Sequence, residues 1–357
     1  MKKLLTTAVL LLSVAYATAQ QLKFERNASF EYYFDNREWS SKGEDFTKSM
    51  TLHRAYFTPQ VGLSYRQDDI FTHRLMVGAE FRHDMGEQSW KDVFDEALAY
   101  YQLEMNARKG KLDFIAGIFP RDSVEGEYPE VIFADSFKKW DCLAEGVLLK
   151  WTGGKFYSEI ACDWMGKAGY DRRERFQIFT YGRWNASDCL SLGWTVSFYH
   201  YAGSDLAPGV VDNHLFNPWV MIQLPPGKKG GWQELSLKAG LMAAYQRDRL
   251  FSEDVIKPFG GEIQLKARRW NILFQNTTYF GDDQMPLFGE QDAAGNPYGH
   301  NLYFGLPFYR GFYNRSEILW TPRISSFLHL EAGARFHFGK DGWLGWQQVL
   351  SLCFDLQ

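Results

Sequence analysis

Apolar and polar residues alternate with a period of two along almost the whole chain, and nothing after residue 19 approaches the eighteen or so consecutive apolar residues of a membrane helix. In "LHLEAGARFHF", Leu328, Leu330, Ala332, Ala334, Phe336 and Phe338 share one parity against His329, Glu331, Gly333, Arg335 and His337. "RLMVGAEFR" likewise sets Leu75, Val77, Ala79 and Phe81 against Gly78, Glu80 and Arg82. Successive strand residues point to opposite faces, so each run makes a ribbon with one apolar and one polar side; a helix would need its apolar positions three and four apart. Counting such runs gives about sixteen strands, most near the ten residues that a tilted strand needs to cross a bilayer.

Composition supports a membrane setting for these ribbons. Aromatic residues make up 17% of the chain, with 13 Trp, 19 Tyr and 29 Phe, yet mean hydropathy is −0.36. Alternating lipid-facing and water-facing residues dilute each other in this way. The connections sort themselves too. Segments 37–50, 85–96, 120–140, 165–172, 202–213, 248–257 and 282–307 are long, whereas "QDDIF", "KGK", "TGG" and "NAS" between them are short. Short inner turns alternating with long outer loops are the pattern of an outer-membrane barrel. The expected fold is therefore all-β, a transmembrane antiparallel β-barrel of about 16 strands (range roughly 14–18), in which "VLSLCFDL" closes against "LKFERNASFEYYF" because no open sheet edge is stable in hydrocarbon.

Residues 1–19, with Lys2 and Lys3 before an apolar stretch and small residues ahead of Gln20, read as a secretory signal peptide. Residues 20–357 read as a single barrel domain bound for the Gram-negative outer membrane, with outer-membrane lipid and the outer-membrane assembly machinery as its partners. The formal charge of −4 becomes −6 without those two lysines (−4 − 2), which is too mild to point to nucleic acid. Cys142, Cys162, Cys189 and Cys353 are scattered without paired spacing, so they read as small apolar residues, and neither a zinc site nor another cofactor is expected. Trp219, Trp270, Trp320, Trp343 and Trp346 fall near strand ends, where aromatic girdles belong.

The polar parity is the place to look for function. Arg54, Glu80, Arg82, Glu104 and Asp113 are expected to line a wet lumen, joined by Arg121, Asp122 and Glu125 from the third long loop, "PRDSVEGEYPEVIFADSFKKWD". That loop carries an apolar centre, Val131, Ile132 and Phe133, which an exposed loop seldom has, so it is expected to fold inward and narrow the channel. The segment Asp282–Phe308 is long enough to cap the mouth or bind a ligand. Neither GxSxG nor HExxH occurs, and His83 beside Asp84 is the only close His and carboxylate pair near a rim, so an enzyme is not expected.

The order "HRAYFTPQVGLSYR", "HRLMVGAEF", "AYYQLEMN", then "KLDFIAGIFPRD" resembles, over about Arg54 to Trp151, the opening half of bacterial outer-membrane porins of the phosphate-selective O and P type. The resemblance implies a sixteen-stranded channel with an inward third loop. The chain lacks their succession of lumen lysines, so phosphate selectivity does not carry over. The expected function is passive diffusion of small hydrophilic solutes; the alternatives are a surface receptor acting through its outer loops and, third, a barrel hydrolase. A homotrimer is compatible with this size, although no stripe in the sequence marks an interface.

Overall fold

The computed structural model describes residues 22–170, 172–206, 208–225, 231–250, 253–287 and 305–356. The expected signal peptide, Gln357 and most of the segment between residues 282 and 308 lie outside the described residues. Among the described residues, sixteen strands form one closed antiparallel barrel in which each strand pairs with its sequence neighbours. They are β1 (Leu22–Trp39), β2 (Met50–Gln67), β3 (Phe71–Asp84), β4 (Phe94–Ala107), β5 (Gly110–Pro120), β6 (Leu143–Gly153), β7 (Phe156–Gly166) and β8 (Arg175–Asn185). The second half comprises β9 (Leu190–Tyr201), β10 (Val211–Gln223), β11 (Glu234–Asp248), β12 (Phe259–Arg269), β13 (Ile272–Gly281), β14 (Gly311–Trp320), β15 (Leu328–Gly339) and β16 (Gly342–Leu356).

The direction of each face follows from burial. On β3, Leu75 and Val77 are about half exposed (58% and 48%), while Glu80 on the other parity is 3% exposed. Greasy side chains therefore point out and polar ones point in, which is stable only where the surroundings are hydrocarbon. Val61, Leu63, Ile160, Leu237, Ile263 and Ile318 continue the outward belt.

The seam forms as the alternation requires. β16 runs along β1 from Ala28↔Leu356 to Trp39↔Gly345, and Ser351 donates a 2.6 Å hydrogen bond to Glu31 across the join. Inner turns are tight: Trp270 and Asn271 (φ 52° and 62°) join Arg269 to Ile272 with the two left-handed residues of a type I′ hairpin. Trp320, Trp343 and Trp346 are exposed or partly exposed near strand ends, as a girdle requires, and Trp346 Nε1 donates to Glu38 at 2.9 Å. Trp219 differs: its parity turns it into the lumen, where Lys238 lies 5.4 Å from its ring.

A self-paired polar group stands on the outer face of β13 and β14. Asn276 and Thr278 on β13 meet Asn314 and Ser316 on β14. Asn276 Nδ2 donates to Ser316 (2.8 Å) and Asn314 (3.3 Å), and Asn314 Nδ2 donates to Thr278 (2.8 Å) and Asn276 (3.1 Å). The two hydroxyls donate back to the amide oxygens at 3.2 Å.

Candidate functional site

The third long loop folds into the barrel and crosses it. It leaves β5 through a 3-10 turn (Arg121–Ser123), runs extended, and returns through a short helix (Asp135–Trp140) to β6. Its apolar centre finds the core that the sequence lacked elsewhere. Val131, Ile132 and Phe133 are buried against Tyr199, Tyr201, Tyr279, Phe308, Tyr309 and Tyr313 from the far wall and from the segment before β14. Backbone pairing seals this contact, since the Leu306 N–H donates to the Glu130 carbonyl at 2.8 Å.

Polar contacts pin this strap to opposite walls. On the near side Glu159 of β7, almost fully buried, accepts four hydrogen bonds: from the Glu125 and Gly126 backbone N–H groups (3.0 and 2.8 Å) and from the Tyr128 and Tyr157 hydroxyls (2.9 and 2.6 Å). A Cβ on Gly126 would stand 2.4 Å from that carboxylate, so only glycine permits the approach. On the far side Glu127 pairs with Lys266 of β12 and Glu130 with Arg315 of β14, both at 2.8 Å. Lys139 pairs with Glu31 of β1 at 2.7 Å. Burial works against ionisation of Glu127, but Lys266, Lys238 and Arg183 outweigh it and hold the carboxyl at about 2.

The strap divides the lumen into two polar chambers. One, of about 380 Å³, lies toward β1, β2, β3 and β16 and is lined by Glu31, Tyr56, Gln60, Glu80, Asp122 and Lys139 among others. The other, of about 300 Å³, lies toward β11–β14 and includes Glu127, Lys238, Glu262, Lys266 and Arg315. Lys138 lines both.

Each residue singled out in the sequence is on the lumen side or in the strap, but the roles differ. Arg54 bonds Asp84 (2.6 Å) and lies 4.6 Å from the Trp140 ring. Arg82 pairs with Asp95 (2.7 Å), and Glu80 faces the first chamber. Glu104 is held by Arg74 (3.0 Å) and Lys111 (2.9 Å) toward the inner mouth, and Asp113 by Lys150 (3.3 Å). Asp122 lines the first chamber, while Glu125 pairs with Lys150 (2.6 Å). Arg121 departs from the expectation of a water-facing lining. It is 1% exposed and bonds the Asp163 carboxylate, the Asp141 carbonyl (2.7 Å) and the Leu143 carbonyl (2.6 Å), so it fixes the base of the strap. Glu159, an inward acid flanked by Tyr157, and Lys138, in the third loop, are not among the lining residues singled out above.

His83 and Asp84 do not form a dyad, because adjacent strand residues point to opposite faces. His83 stacks on Trp90 at 4.1 Å outside, and Asp84 bonds Arg54 inside. The register assembles a different pair on the outer wall. His200 of β9 lies opposite Asp212 of β10, its Nδ1 3.9 Å from Oδ1, and Arg249 clamps the same carboxylate at 2.7 and 3.0 Å. His214, one outward position below, lies beside Tyr245 with the rings stacked 5.8 Å apart.

A closed barrel, apolar outside and polar inside, with a loop strapped across its lumen, defines an outer-membrane β-barrel protein. Solved structures similar to it have the same fold. The Pseudomonas aeruginosa protein OpdL is 10% identical with a TM-score of 0.51, the match covering 94% of this chain and 99% of that one. P. aeruginosa OccK3 (OpdO) is 10% identical with a TM-score of 0.51, covering 96% and 98%. No curated protein matches the chain significantly. A family model described as Lipid A 3'-O-deacylase-type matches residues 14–252, more than half of the 357 residues, and the chain belongs to that family.

That membership corrects the expectation that the chain is not an enzyme, since the family is one of deacylases. The expectation rested on missing linear motifs. A barrel instead brings groups together by register, as His200 and Asp212 show, and leaves no contiguous signature. The resemblance to porins extends to the barrel fold; the phosphate-selective type is not among these similarities.

Proposed function

We propose that the protein passes small hydrophilic solutes across the outer membrane through a lumen narrowed by the strap. The observation that carries this reading is the crossing itself: the loop is pinned at Glu159 on one wall and at Lys266 and Arg315 on the other, with a polar chamber on each side. A water-lined path lowers the barrier for a polar solute, and the constriction selects by width and charge. Lys138 lines both chambers, and Asp122 and Glu80 oppose it in one. Arg54, Arg82, Glu104 and Asp113 line the approach on the wall, and trimeric packing and handling by the assembly machinery belong to the same reading. The purified protein in a planar bilayer should give stepwise openings that scale with salt, and Lys138→Glu should shift preference toward cations. A protein that inserts but stays silent refutes the channel.

A second reading is favoured by the family and by the outer-rim group. An acyl ester of lipid A would meet the wall where His200, packed on Phe176 and beside the Asp212 carboxylate that Arg249 clamps, faces the lipid, and an imidazole there can take a proton from water or a hydroxyl during ester hydrolysis. Fatty acid release from lipid A in mixed micelles, read by mass spectrometry, should then disappear in His200→Ala while conductance persists. Release that is unchanged in that variant refutes the assignment of His200.

A further inference from the structure

We infer that the outer wall over β10–β13 holds one anionic membrane lipid, with an acyl chain in a groove floored by small residues and its headgroup against a cationic rim. The site deepens the second functional reading, with which it shares His200, Asp212 and Arg249, but binding there requires neither conduction nor hydrolysis, so it is tested apart from both.

The groove encloses about 670 Å³ and is bounded by Pro218, Val220, Leu241, Phe259, Ile263 and Phe280, with Ala239 and Gly261 as its floor. Register explains the hollow. Gly261 sits between Leu241 on one side and Phe280 on the other, and Ala239 between Val220 and Ile263, so small side chains run between large ones on four adjacent strands. From Phe259 to Ile263 the groove follows about 13 Å of strand. Those residues begin at the outer end of β12, so the groove lies in the outer half of the bilayer. Hydrocarbon already surrounds this wall, which means selectivity must come from shape and from charge at its top, not from the hydrophobic effect.

The charge is present at that top. The bridge Gln246↔Ile256 and the pair Ala243↔Phe259 put Lys257 beside Tyr245, on the same outward parity as Phe259 and Gly261. Lys257 is exposed and forms no ion pair among the described residues. Arg247 lies opposite Asp212 on the next outward row, and Arg249, half exposed, caps it. His200 stands on the far side of the same carboxylate. Asp212 is the acid of this wall and is already clamped; Glu253 and Asp254 lie in the loop above. An anionic lipid matches both halves: Lys257 at headgroup level beside Arg247 and Arg249, and a narrow apolar slot directly below on the same strands.

The test is native mass spectrometry of the detergent-purified full chain, incubated with phosphatidylglycerol or with phosphatidylcholine of identical chains. One phosphatidylglycerol should stay bound, in preference to phosphatidylcholine. Lys257→Gln should weaken phosphatidylglycerol about fivefold and leave phosphatidylcholine unchanged, as expected for one surface cation. Gly261→Leu fills the slot, because an added Cβ first meets only the far edge of the Phe280 ring at 3.0 Å; it should weaken both lipids to a similar extent. Heat-modifiable migration of each variant confirms an intact barrel. Equal retention of the two lipids, full displacement by millimolar inorganic phosphate, a second copy of the chain in place of a lipid adduct, or variants that bind as the wild type does would each overturn the inference.

Discussion

Replacing Gly126–Lys138 by a six-residue Gly/Ser linker, which reaches about 20 Å when extended, removes the strap but keeps Arg121 and its base. Strands about 4.8 Å apart and tilted about 40° give a ring of sixteen a backbone radius of about 16 Å. Lining side chains reduce the open radius to about 10 Å, an area of roughly 300 Å². A strap about 10 Å wide laid across that opening covers about 200 Å² and leaves about one third. Ion flow through a wet pore scales with its narrowest open area, so single-channel conductance should rise about threefold. The lumen charges Glu159, Lys266 and Arg315 lose their strap partners into water rather than into a dry core, while Arg315 keeps Glu317 and Glu159 keeps Tyr157, and the barrel should keep its heat-modifiable migration. A folded variant whose conductance rises by less than about 1.3-fold would show that the strap is not the constriction, and would refute the area argument.

Three further outcomes follow from the same contacts. Glu159→Gln turns one acceptor oxygen into a donor facing two donors; hydrogen bonds to a charged group are worth about 1.5–3 kcal/mol each, so the strap should become accessible to trypsin at Lys138 and Lys139. Unchanged resistance would count against Glu159 as the anchor. Because the Glu127 carboxyl is held at about 2, below its ordinary value, the pair with Lys266 is complete above about pH 4.3 and is lost only as pH falls through about 2. The Glu127 carboxyl ¹³C resonance should therefore stay flat from pH 8 to pH 4 and shift in that window once Lys266 and Lys238 are both changed to Gln. Gly126→Ala should loosen the same anchor as Glu159→Gln does, without changing charge, because its methyl displaces the carboxylate.

The wall was legible because alternation is local: each strand announces its two faces within ten residues, and loop lengths announce which end is outside. The inward loop was legible from Val131, Ile132 and Phe133, three apolar residues with no local face to join. Its anchors were not, since Glu127 and Lys266 are 139 residues apart and only ring closure makes them neighbours. Arg121 reads as one more lumen charge until the structure shows acceptors of Asp141, Leu143 and Asp163 around it. The His200 and Asp212 pair was hidden for the converse reason: both lie on the outward parity, where the sequence reading expected grease.

The four polar side chains on β13 and β14 use every hydrogen they have: four from two amides and two from two hydroxyls, all given to one another. Fatty tails can therefore lie against this patch without stranding a donor. Truncating any one member would leave a neighbour's hydrogen pointing at oil, where only an oxygen from a second protein could take it. A tightly self-contained wall would thus become a sticky one by the loss, not the gain, of a polar group.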